Sequence, residues 1–198
     1  MLAELLAKPG VREESVLRSR FGFMAFHGGS LEEMTDVIAA AAAERSGASY
    51  YGLLQPEGLQ WHISSHKLDP VDSPAMAAFL DHVDVVVTVH GYGRQGMFTS
   101  LLLGGQNRRL AEHIGPHLAR HLPAYDIRTD LETIPSDLRG QHPTNPVNLP
   151  RQQGVQIELP PRVRGSSPMW WDWEGPGHTP HTESLIGGLA AAALAWPL

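Results

Sequence analysis

The chain has no cysteine among its 198 residues. That absence excludes disulfides, thiolate metal sites and a cysteine nucleophile. Basic residues are also sparse: 15 Lys and Arg stand against 21 Asp and Glu, a formal charge of −6. Without a clustered basic helix, no nucleic-acid partner is expected. Long apolar runs are missing too. Leu185–Trp196 is too short for a span and carries two glycines, so no membrane partner is expected. The first residues, Met1 to Ala7, lack the positive charge that precedes a secretory core, and a cytoplasmic protein is the expectation. What remains is an ordinary globular composition with 42% hydrophobic residues.

Apolar runs alternate with helix-like segments, which predicts an α/β layered fold in one domain over residues 1–198. Phe21–Phe26 reads as a buried strand, and Asp84–Val89 as another, β-branched and apolar on both faces. Ser30 with Glu33 has the spacing of a capping box, predicting a helix that opens near Leu31. Ser49–Leu54 and Leu59–Ser64 read as strands around a Pro-Glu-Gly turn. Pro74 to His82 reads as a helix capped by Asp72 or Ser73. Phe98–Leu103 predicts a strand, and Asn107–Leu122 a helix kinked or divided at Gly115-Pro116. Residues 134–153 form a long polar loop, 155–159 a short strand, and 183–194 a closing helix.

Two histidines, His27 and His90, each follow a strand and precede a glycine. In an open α/β sheet, functional groups gather beyond the carboxyl ends of the strands. Glu32, just after the His27-Gly28-Gly29 turn, completes a two-histidine, one-carboxylate set. Such a set holds one zinc and leaves a position for water; it also binds iron in oxygenases. Glu158 ends an apolar strand and is the candidate general base, since a lone acid there needs a reason. Each residue has a plainer role as well. The histidines can be hydrogen-bonded surface groups, Glu32 can favour a helix start, and Glu158 can pair with an arginine.

Five motifs occur in order: His-Gly-Gly-x-Leu-Glu-x-x-Thr at 27–35, His-Ile-Ser-Ser at 62–65, Val-Val-Thr-Val-His-Gly-Tyr at 86–92, Leu-Gly-Gly-x-Asn at 103–107 and Gly-Val-Gln-Ile-Glu-Leu at 154–159. Together, over about residues 21–164, they resemble the poly-γ-glutamate hydrolase family of bacteria and phages. The resemblance implies a carboxypeptidase-like mixed sheet flanked by helices. It implies one zinc on His27, Glu32 and His90, with Glu158 as general base. Where the family has Glu-Pro-Gly-Thr, this chain has Glu32-Glu33-Met34-Thr35. The Trp-rich segment and helix, 165–198, lie outside the resemblance.

The expected substrate is an anionic peptide or carboxylated amide, cleaved at a γ-glutamyl linkage. An amidase or deacylase of small carboxylated amides and a non-catalytic zinc-binding module are the alternatives. Asn107-Arg108 looks similar to the pair that zinc carboxypeptidases use for a substrate carboxylate, and a guanidinium fits a carboxylate in two places. Arg109, Arg139, Arg151, Arg162 and Arg164 extend the expected basic rim. His62, Tyr92 and Arg94 complete the expected substrate contacts.

Overall fold

A computed structural model describes residues 1–197. A seven-stranded mixed sheet runs through it, in the order β1-β3-β2-β4-β7-β5-β6. The strands are β1 (Arg12–Val16), β2 (Phe21–Gly29), β3 (Ser49–Gln55), β4 (Val85–Gly91), β5 (Ser100–Leu103), β6 (Asp126–Arg128) and β7 (Gly154–Leu159). The helices are α1 (Leu2–Leu6), α2 (Thr35–Ser46), α3 (Pro74–His82), α4 (Arg108–His121), α5 (Pro161–Arg164) and α6 (Pro180–Ala195). The central strands β3, β2, β4 and β7 are parallel, whereas β1 pairs antiparallel with β3, and β5 with β7.

Side-chain alternation splits the interior into two layers. Phe21, Phe23, Ala25, Val85, Val87 and Val89 face the layer of α2, α4 and α6. Met24, Phe26, Tyr51, Leu53 and Val86 face α1, α3 and the segment around Ile63 and Leu68. From β2 the chain steps outward to β3 and then returns to β4 on the other side. The gap beyond the ends of β2 and β4 is therefore a topological switch point, where α/β sheets place their ligands.

Several local expectations change. Helix α2 begins at Thr35 rather than Leu31, after the left-handed Met34 (φ 71°). Ser30 does not cap it: its hydroxyl donates to the Pro56 carbonyl at 2.6 Å. The turn consumes four more residues because Glu32 N–H closes onto the His27 carbonyl at 2.9 Å. Residues 59–64 form no strand. The Gln55 side chain occupies the backbone of Trp61 instead, accepting from its N–H (3.0 Å) and donating to its carbonyl (2.9 Å). Strand β5 starts at Ser100, and α4 runs unbroken through Pro116. Ser73 caps α3, and Asn107 caps α4 by accepting from Leu110 N–H at 2.8 Å. Short edge strands β1 and β6 add to the elements expected.

Candidate active site

Three adjacent strands bring the chemistry together. His90 and Glu158 are directly opposite on β4 and β7. By strict alternation His27 would share a face with Ala25, toward α2. Between Ala25 and Gly28, however, the pairing of β2 with β3 shifts register. A bulge of this kind re-aims a side chain. His27 consequently lies on the His90 side, with ring centroids 4.9 Å apart. Phe26 packs edge-on against both imidazoles, at 5.3 and 4.7 Å, and floors the site.

Glu32 reaches the pair from the turn after β2. Gly29 makes that turn possible: its φ is +70°, and a Cβ there would meet the Gln55 carbonyl oxygen at 2.2 Å. Asp36 holds the turn by accepting from Gly29 N–H at 3.1 Å. Glu32 Oε1 lies 2.7 Å from His27 Nδ1, and Oε2 lies 3.2 Å from His90 Nδ1. Gly91 N–H donates to Oε2 at 2.8 Å.

The donor set fits a metal cation. His27 Nε2 sits 2.8 Å from the Ile63 carbonyl, which accepts only, so that nitrogen carries the hydrogen. In a neutral ring Nδ1 is then a lone pair aimed at a carboxylate, itself an acceptor. Two acceptors at 2.7 Å need a proton or a metal ion between them. A backbone carbonyl behind the far ring nitrogen is also the usual support of a metal-binding imidazole. His90 Nε2 is buried with no partner among the described residues, leaving a second site for a cation to satisfy. His62 also stands close: His27, Glu32 and His62, rather than the expected set with His90, offer ligating atoms that all lie within 4.8 Å of one another. The sequence placed His62 on the substrate side, because no spacing rule ties it to His27.

Charges follow from these contacts. Burial alone would raise the Glu32 carboxyl, but His90 and His27 outweigh it and hold the group well below its ordinary range. Burial disfavours the charged form of His27, yet the Glu32 hydrogen bond prevails and raises it. Burial lowers His90 despite Glu32. Glu158 is pushed well above the ordinary carboxyl range, first by burial and then by the Glu32 charge. Gln156 Nε2 opposes this by donating to Glu158 Oε1 at 2.8 Å. Asn145 fixes the Gln156 amide by donating to its Oε1 at 2.8 Å.

His27, Glu32, His62, His90 and Glu158 line one cavity of about 740 Å³. Other expected residues lie elsewhere. Arg108 gives its guanidinium hydrogens to the carbonyls of Leu103, Gly104, Gly105 and Thr129. Asn107, besides capping α4, donates to the Gln152 carbonyl at 2.8 Å. Tyr92 turns its hydroxyl toward the Met97 and Ser100 carbonyls. Arg94 pairs with Asp137 at the cavity wall. Arg139 donates to Ile134, and Arg151 pairs with Asp84. Arg109 and Arg162 lie over the rings of Trp196 and Tyr125. The expected arginine rim is thus not assembled, because carbonyls of irregular backbone and local acids claim the guanidinium donors.

Arg164, expected at the substrate rim, has a different place. It is buried, donates from Nε to the Leu159 carbonyl at 3.2 Å and from Nη1 to the Glu33 carbonyl, and packs against Gly91. It therefore joins the Glu32 turn to the ends of β4 and β7.

A carboxypeptidase-like sheet with this cluster at its switch point defines a metallohydrolase. The chain belongs to the poly-gamma-glutamate hydrolase family, whose model matches residues 3–170. Its fold is similar to that of a bacteriophage poly-gamma-glutamate hydrolase, with TM-score 0.77 and 20% identity over 96% of this chain and 91% of that one. It is likewise similar to a zinc-free form of YNDL, with TM-score 0.77 and 18% identity over 96% and 92%. A candidate carboxypeptidase from Burkholderia mallei shares the fold more loosely, with TM-score 0.51 and 11% identity over 98% and 66%. No curated protein matches the chain.

Proposed function

We propose that the cavity is a monozinc centre that hydrolyses γ-glutamyl amide bonds in poly-γ-glutamate. The observation that carries this reading is the His27 Nδ1 to Glu32 Oε1 contact at 2.7 Å, a pair that needs a proton or a metal ion between its atoms, in the same cavity as the unpartnered His90 Nε2 and Glu158. His27, Glu32 and His90 hold the ion, and His62 stands beside them toward the substrate. When bound, zinc supplies Lewis acidity to water and to the scissile carbonyl. Glu158 takes the proton of the attacking water and passes it to the leaving nitrogen. Its raised affinity for protons, set by burial, suits both halves of that transfer. Residues 1–198 act as a single domain, with the Trp-rich end outside the chemistry.

Metal analysis of the purified protein, with product mass spectrometry on γ-linked and α-linked glutamate polymers, tests this. Stoichiometric zinc and cleavage of the γ-linked polymer are expected. Cleavage of the α-linked polymer alone would overturn the linkage and keep the chemistry. Zinc without turnover of either polymer would make the chain a binding module.

A further inference from the structure

No lysine or arginine lines the cavity among the described residues. A γ-linked glutamate polymer nevertheless carries one free carboxylate on every residue, and each desolvated carboxylate needs N–H or O–H donors. The amides in the wall each spend a hydrogen within the chain. Gln141 Nε2 donates to the Gly105 carbonyl, Asn145 Nδ2 to Gln156, and Gln156 Nε2 to Glu158. The serines Ser64, Ser65 and Ser136 are short and each offers a single hydroxyl donor.

Two histidines outside the metal cluster remain. His66 comes from the short helical turn at Ser65–Lys67, and His142 from the polar loop on the opposite wall. Their rings face each other with centroids 4.7 Å apart and planes 34° from parallel. Thr144 locks the two walls together: its hydroxyl donates to the His66 carbonyl at 2.7 Å and lies 2.9 Å from His142 Nδ1. The His66 imidazole makes no hydrogen bond within the chain among the described residues. The one acid on the adjoining wall, Asp137, is paired with Arg94, which offsets its repulsion of a polyanion.

We propose that His66 and His142 form the carboxylate subsite of this cleft, taking the free carboxylate of a glutamyl unit next to the scissile bond. The proposal rests on the polyglutamate reading above. It makes the pair specificity-determining: the paired imidazole donors select an anionic polymer over a neutral one, in place of the arginines that the loops consume.

The test uses the zinc-loaded full chain, with a γ-linked glutamate polymer and the same polymer with every free carboxyl converted to a primary amide. His66→Ala and His142→Ala each raise KM on the anionic polymer about tenfold, the worth of one charge-assisted hydrogen bond, with kcat little changed. KM on the amidated polymer stays as in the wild type, and His142→Lys restores most of the anionic affinity. Both rings lie at the surface, so the fold tolerates their loss. Equal changes on both polymers, or none on either, would overturn the subsite. Calorimetric binding of the anionic polymer to a Glu158→Gln background separates the two readings. Failure of the wild type to cleave the polymer removes the substrate assignment, whereas binding indifferent to both histidines removes the subsite.

Discussion

His27 Nδ1 and Glu32 Oε1 face each other at 2.7 Å while the far side of the same imidazole is held by the Ile63 carbonyl at 2.8 Å. The relationship fixes one ring nitrogen as donor and leaves the other for a proton or a metal ion. It predicts that His27→Ala and Glu32→Gln each abolish stoichiometric zinc. His90→Ala should weaken zinc by at least about 100-fold, as loss of a direct ligand, and His62→Ala by no more than about tenfold, as loss of a neighbour. Competition with a chromogenic chelator measures both. Equal losses at His62 and His90 would place His62 among the ligands.

The buried Glu158 gives the activity an acid limb. As general base it must be ionised, and burial raises its proton affinity. kcat/KM should therefore fall as pH drops, at a pH above the ordinary glutamate range. Gln156→Leu removes the donor that favours the ionised form, so the limb should move to higher pH. A pH–rate profile of both proteins decides this; an unmoved or lowered limb would disconnect Gln156 from the base.

Glu32 ties stability to pH in the metal-free protein. Its carboxyl is depressed in the fold from an ordinary 4.5, because His90 and His27 outweigh the cost of burial. The folded state thus binds fewer protons than the unfolded state in acid. The stabilisation is complete above about pH 4.5 and is lost as pH falls below it. Thermal melts of the apoprotein should show Tm dropping through that range, and Glu32→Gln should flatten the drop.

Arg164 links three segments without meeting substrate. Replacing it by methionine keeps the volume but strands the Leu159 and Glu33 carbonyls and leaves Glu32 without a nearby buried cation. A loss of about 3 kcal/mol in unfolding free energy is expected, with lower kcat and retained zinc stoichiometry. Denaturant titration and metal analysis on one sample would show it; full stability in the variant would remove the clamp.

Met34 occupies a left-handed conformation (φ 71°) at the place where the resembled family has glycine. Its side chain packs against the α2 layer and offsets part of that strain. Both Met34→Ala and Met34→Gly lose the packing, but only glycine relieves the backbone. The glycine variant should be the more stable of the two by about 1 kcal/mol in chemical denaturation.

The strands that carry the site were legible because they are buried on both faces: β2 and β4 open as apolar runs, and β7 alternates Val155, Ile157 and Leu159 with Gln156 and Glu158. Their terminal His27, His90 and Glu158 followed from the strand-end rule. Charged edge strands such as β1, with Arg12, Glu13 and Glu14, carry no such signal. Nor do interactions that cross the chain. Arg108 looked like a carboxylate clamp because its sequence context resembles one, yet four carbonyls meet it in space. His62, His66 and His142 become neighbours of the site only when residues 59–67 and 136–145 close over it, without periodicity to announce them. The capping-box spacing at Ser30 misled for the same reason: Pro56, distant in sequence, claims the hydroxyl.

The bulge in β2 has a consequence for how the protein matures. His27, His90 and Glu158 come from strands far apart in the chain, and they share a face only once β2, β4 and β7 are paired with the irregularity in place. Such nonlocal pairings form slowly relative to local helices. A nascent or partly folded chain thus presents scattered imidazoles with little affinity for a metal, and a ligand that binds only the finished arrangement shifts the equilibrium toward it. Metal uptake in this chain is therefore a marker of completed folding, and a cell short of the ion would hold a ready but less stable apoprotein.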